Sequence, residues 1–138
     1  MIRKILGIVA GIAAAYLVIA AAEAFNHWLY PIPADLDPSD NVAMSAYTFA
    51  LPLPVRLMYI AGWFAGTFAG AWLSLRISDW RWGGWIIALL VIADGIARNF
   101  EFAEPLWMSA AAVLAPLLGG WLGWRLHPKP YPGEPLLG

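Results

Sequence analysis

Two pairs of side chains in this 138-residue chain have the type and spacing to do chemistry. Glu23 and His27 stand four residues apart, and so do Asp94 and Arg98. On a helix each pair shares one face. Both pairs belong to long apolar runs, where an ionisable group is costly and marks a functional candidate by default. Counting 1.5 Å per residue from Gly83 puts Asp94 roughly 16 Å into a bilayer, near its midplane. Glu101 follows Arg98 by three residues. With Glu104 and Arg56 at the same level, Glu23, His27, Arg56, Asp94, Arg98, Glu101 and Glu104 form one candidate polar cluster.

Several roles are open to such a cluster. It is a salt-bridge layer that pins helices, or a site for the polar end of a lipophilic molecule. Two carboxyls in different environments could also divide acid and base roles in a membrane-embedded isomerase. Glu23, His27, Glu101 and Glu104 contain metal-ligating types, but a site needs about four well-placed ligands, and no metal or other cofactor is expected. A haem held by two histidines needs both on one level, whereas His27 and His127 fall at opposite ends of the spans. The absence of Cys removes thiolate and disulfide chemistry. No His-Glu-x-x-His, phosphate loop or nucleophile triad occurs. The eight basic residues are too scattered for nucleic acid. The chain therefore reads as non-enzymatic.

The elements that carry these residues follow from hydropathy. The chain is 62% hydrophobic and 12% charged, more apolar surface than a soluble domain of this size can bury. Four apolar runs, near residues 5–25, 54–75, 83–97 and 106–124, have lengths suited to crossing a bilayer. The first, preceded by Arg3 and Lys4, is read as a span rather than a cleaved signal because its apolar stretch is long. Pro116 lies within the last span as a possible kink. Between the first two runs, Asp37-Pro38-Ser39-Asp40 predicts a short surface helix from Pro38 to about Ala50. Residues 1–126 thus form one all-α, four-span domain, and the proline-rich residues 127–138 form a tail.

Loop charges orient it. Arg3, Lys4, Arg76, Arg81, Arg125 and Lys129 fall on one side with Asp79 and Glu134, and Asp35, Asp37, Asp40, Glu101 and Glu104 on the other with Arg56 and Arg98 near the membrane edge. The positive-inside rule then puts both termini in the cytoplasm and the short helix in the periplasm of a bacterium. Trp28, Trp63 and Trp107 on one side, and Trp80, Trp82, Trp85, Trp121 and Trp124 on the other, read as aromatic belts.

Two further patterns concern assembly. Gly70-Ala71-Trp72-Leu73-Ser74-Leu75-Arg76 resembles Gly119-Gly120-Trp121-Leu122-Gly123-Trp124-Arg125, and Leu17-Val18-Ile19-Ala20 recurs as Leu90-Val91-Ile92-Ala93. These suggest two duplicated hairpins about an axis along the membrane normal. Small residues recur every four positions: Gly7, Gly11, Ala15; Gly62, Gly66, Gly70, Ser74; and Ala111, Ala115, Gly119, Gly123. Such ladders let helix backbones approach, either within one chain or between chains.

Glu23-x-x-x-His27-Trp28-Leu29-Tyr30-Pro31-Ile32-Pro33, the Asp-rich loop with Leu51-Pro52, the segment Gly62 to Arg76 and Pro105-Leu106-Trp107 together cover most of the chain. In these residues it resembles a group of small bacterial four-helix membrane proteins. Glu104 stands where that group has a His before the Pro, so no role of that His carries over. The resemblance implies an inner-membrane location and brings no activity. The expectation is a self-associating or accessory membrane subunit, in contact with lipid and with a homo-oligomer or membrane-protein partner. The alternative is a binder or carrier of a small lipophile at the polar cluster.

Overall fold

The computed structural model describes residues 1–127, and these form five helices with no strand among them: α1 (Ile2–Leu29), α2 (Asn41–Ala50), α3 (Leu53–Ser78), α4 (Trp82–Glu101) and α5 (Leu106–Arg125). The proline-rich tail expected from the sequence lies outside the described residues after its first member, His127, which is buried. Three helices, α1, α4 and α5, are long and apolar enough to cross a membrane. The chain is thus an all-helical protein of a kind compatible with a bilayer. The second expected span behaves differently. α3 passes the same test only together with α2, from which it is bent by 104°.

The reason lies in how α3 is used. It is the hub of the bundle, packed on α1, α5 and α4. A helix enclosed by protein needs small residues for close approach more than it needs large apolar ones. Gly62, Gly66, Thr67, Gly70, Ala71 and Ser74 are accordingly its buried residues, with Val55 and Leu75 toward the ends. A Cβ on Gly11 of α1 would stand 2.7 Å from the Gly70 carbonyl oxygen, and one on Gly7 2.8 Å from that of Ser74. One on Gly66 would stand 2.7 Å from the Ala15 oxygen. On the other flank, a Cβ on Gly119 of α5 would stand 2.6 Å from the Phe64 oxygen, and one on Gly123 3.1 Å from the Trp72 nitrogen. The glycine ladders are therefore the seams between α1 and α3 and between α3 and α5. Gly70 and Gly119, in the two segments that resemble each other in sequence, meet different neighbours: Gly70 faces α1, whereas Gly119 faces α3.

α1 shows the opposite balance. Only 22% of its most apolar stretch is buried, and Leu17, Phe25 and Trp28 are exposed. Its inner stripe of Gly7, Gly11, Ala15 and Ile19 joins Ile87 and Val91 of α4 in the core, with Ile12 and Trp63 packed against it. Trp63 is thus partly buried against this core. Trp80 and Trp121, both expected in a belt, and Trp72 carry cations at the Met1 end of the bundle. Lys4 lies over Trp80 at 5.1 Å, Arg76 over Trp72 at 5.1 Å and Arg125 over Trp121 at 5.6 Å, the arrangement of side chains whose stems lie along apolar surface.

The two ends are tied by different devices. At the Met1 end, Asp79 closes α3 in the left-handed region (φ 49°), which Asp tolerates better than most residues. Arg3 Nη2 reaches its carboxylate at 3.1 Å, and His127 Nε2 at 3.3 Å. One side chain so gathers the start of α1, the α3–α4 turn and the chain after α5. At the other end α2 begins at Asn41, three residues later than Asp37-Pro38 suggested. Asp40 is the cap, accepting from the Val42 and Ala43 N–H groups at 3.0 and 3.1 Å. Asp37 instead accepts from the Ser39 N–H and hydroxyl, which holds its carboxyl below the ordinary range. Pro116 is accommodated inside α5 without ending it.

Candidate functional site

At the α2 end the four long helices stop packing tightly, and a cavity of about 180 Å³ opens among α1, α2, α3, α4 and the start of α5. Its polar side chains arise from helical spacing. Glu23 and His27 are one turn apart on α1, and Asp94 and Arg98 one turn apart on α4. Arg98 joins the two helices, donating from Nη1 to Glu23 Oε1 at 3.0 Å while its Nε lies 3.3 Å from Asp94 Oδ2. His27 Nε2 is 3.0 Å from the Tyr59 hydroxyl of α3. Asn26, almost wholly buried, donates to the Val55 carbonyl at 3.3 Å and fixes α1 on α3 beside them.

The sequence-derived cluster is divided by the structure. Glu23, His27, Arg98 and Glu104 line the cavity. Asp94 sits one level deeper, in a narrow crevice with Ile19, Trp63, Gly95 and Ala112 that Arg98 and Glu104 share. Arg56 is directed elsewhere: its Nη2 donates to the Thr48 and Phe49 carbonyls at 3.3 and 2.6 Å, closing the C-terminal end of α2, and its guanidinium lies over Trp107. Glu101 is exposed at the end of α4, apart from the cavity. Among the described residues no three His, Cys, Asp or Glu side chains converge to hold a metal.

The apolar half of the site was absent from the sequence reading. Met44, Tyr47, Thr48 and Leu51 of α2 and its C-cap line one wall, and Tyr59, Trp63, Phe102 and Met108 the rest. A signal existed. Positions 44, 47, 48 and 51 follow the i, i+3, i+4, i+7 stripe of a helix with one docked face, and Tyr59 and Trp63 repeat the one-turn spacing on α3. α2 is fastened at two points, by Arg56 and by the Ala103 N–H, which donates to Ser45 Oγ at 3.0 Å.

Electrostatically the site is lopsided. Glu23, Asp94 and Glu104 gather around a single guanidinium, and that guanidinium is already paired with two of them. Glu104, in the turn before α5, is half-buried. Burial pushes its carboxyl above the ordinary range, against the opposing pull of Arg98. A cavity with aromatic walls, two flexible methionines and a few convergent polar groups is the general form of a small-molecule site.

The fold and this cavity define a small helical protein, compatible with a membrane, with a pocket at one end of its bundle. No family model, curated protein or solved structure matches the chain.

Proposed function

We propose that the protein binds or carries a small lipophilic molecule, whose polar end sits at Glu23, His27, Arg98 and Glu104. The observation that carries this reading is the cavity itself, which has charged residues at one level and Tyr59, Trp63, Phe102 and Met108 around them. At about 180 Å³ it is smaller than the roughly 300–1,000 Å³ of drug-sized ligand sites. It suits a head group and the start of a chain, not a large cofactor.

In this reading the protein is a bacterial inner-membrane component with four spans, α3 being the second. The α2 end faces the periplasm and both termini face the cytoplasm, as the basic residues at the Met1 end favour. α2, turned 104° from α3, lies along the membrane surface above the cavity. The two hairpins are descendants of one duplicated unit in which the equivalent glycine ladders have taken different neighbours.

Self-association, the other role suggested by the small-residue ladders, has less to stand on. The ladder glycines Gly7, Gly11, Gly66, Gly70, Gly119 and Gly123 are occupied by helices of the same chain. The test is native mass spectrometry of the protein extracted into lipid nanodiscs. The expected result is a retained small molecule, lost from a Met44→Trp variant that fills the cavity from α2. A defined homo-oligomer or stoichiometric partner protein, with nothing small bound, would refute the reading in favour of a structural subunit.

A further inference from the structure

We propose that the molecule this cavity selects is an organic cation, an alkylammonium with a slender apolar chain. The inference rests on the binding reading above and adds the charge of the ligand. It follows from which groups are left for a newcomer. An anionic head entering the cavity would find one permanent cation, Arg98, whose Nη1 and Nε are both directed at carboxylates, and His27, whose Nε2 is already engaged at 3.0 Å by the Tyr59 hydroxyl. It would also meet Glu23 and Glu104 across the same small space, and like charges at that range cost several kcal/mol. A cationic head meets the reverse. Among the described residues Glu104 has no cation beyond its share of Arg98, and the Glu23 carboxylate has a second oxygen beyond the one that accepts from Arg98. The walls are Tyr47, Tyr59, Trp63 and Phe102. Aromatic faces beside carboxylates are the surroundings in which ammonium groups are held, through the negative faces of the rings.

The geometry also sets the shape. Met44 of α2 and Met108 of α5 both line the cavity. Both are unbranched and adjust to an irregular chain. The deeper crevice at Asp94, Gly95 and Ala112, at about 20 Å³, is too narrow for a branched group. A linear chain therefore lies beside the methionines with its head toward Glu104 and Glu23.

Three probes with one chain and different heads decide this: n-octylammonium, n-octanol and n-octanoate. Binding isotherms at pH 7 on protein nanodiscs, with empty discs subtracted, should give n-octylammonium at least about tenfold tighter than n-octanoate, equivalent to about 1.4 kcal/mol. Glu104→Gln should weaken n-octylammonium about tenfold and leave n-octanol unchanged, with the melting temperature of the variant as the control for folding. Should n-octanoate or n-octanol bind as well as the amine, the cationic inference is wrong while a lipophile site remains. If none of the three binds and no molecule is retained on extraction, both readings fail.

Discussion

Replacing Gly11 with alanine tests the central packing argument with one methyl group. The added Cβ would lie 2.7 Å from the Gly70 carbonyl oxygen, 2.8 Å from Ser74 Cβ and 3.1 Å from Ile87 Cδ1. Ile87 can change rotamer, but the Gly70 oxygen is backbone of α3 and cannot swing aside. Carbon and oxygen atoms settle at about 3.3 Å or more, so α1 must retreat by about 0.6 Å along this seam. A gap of that size forfeits a quarter to a half of each dispersion contact across it, and overpacking of this kind costs about 1–3 kcal/mol. Gly95→Ala is the matched control, because its Cβ would meet only Ala112, at 3.4 Å, and the change should leave stability unchanged or raise it by up to about 1 kcal/mol through helix propensity. The measurement is the denaturant midpoint of each variant in micelles, read by tryptophan fluorescence, beside its native mass. A Gly11→Ala protein that unfolds at the wild-type midpoint would refute the reasoning. So would one that changes only its oligomeric mass, because the ladder would then be a seam between chains.

Two further outcomes follow from the α2 end. Glu104 has its pKa raised from 4.5 by burial, so the folded state holds its proton more tightly than the unfolded chain. The stabilising contribution is complete below the ordinary value and is lost as pH rises through the raised one. The unliganded protein should therefore lose stability upward from about pH 4, and Glu104→Gln should remove that component. His27, Glu23, Arg98, Tyr47 and Tyr59 face the same cavity and remain in both proteins, so the difference between the two melting curves isolates Glu104; identical curves would refute it. Ser45→Cys with Ala103→Cys places the chain's only thiols where the Ala103 N–H meets Ser45 Oγ. The disulfide should hold α2 over the cavity and slow exchange of a bound probe at least about tenfold, with recovery on reduction; unchanged exchange would show that the ligand does not pass α2.

How much of this was legible in the sequence depends on the range of the interaction. The helices were readable because apolar runs and caps are local, although Asp37-Pro38 and Asp40 both look like helix starts and only the fold selects Asp40. The one-turn pairs Glu23/His27 and Asp94/Arg98 were readable for the same reason. Their grouping in one cluster was expected, but that Arg98 bridges them by reaching Glu23 was not readable, because it depends on the rotation of α1 against α4. Arg56 was misassigned to the polar cluster because net charge does not reveal direction; the bare carbonyls at the end of α2 lie close in space and the acids do not. Trp63 was placed in a belt by its distance along the chain, and its packing against the core cluster of Ala15, Ile19, Ile87 and Val91 was not legible there. The central position of α3 explains why it is the least apolar of the long helices and why its ladders are consumed inside the bundle. A sequence read for apolar length therefore undervalues the helix most enclosed by its neighbours, and it is that helix, through Tyr59 and Trp63, that supplies part of the aromatic wall of the site.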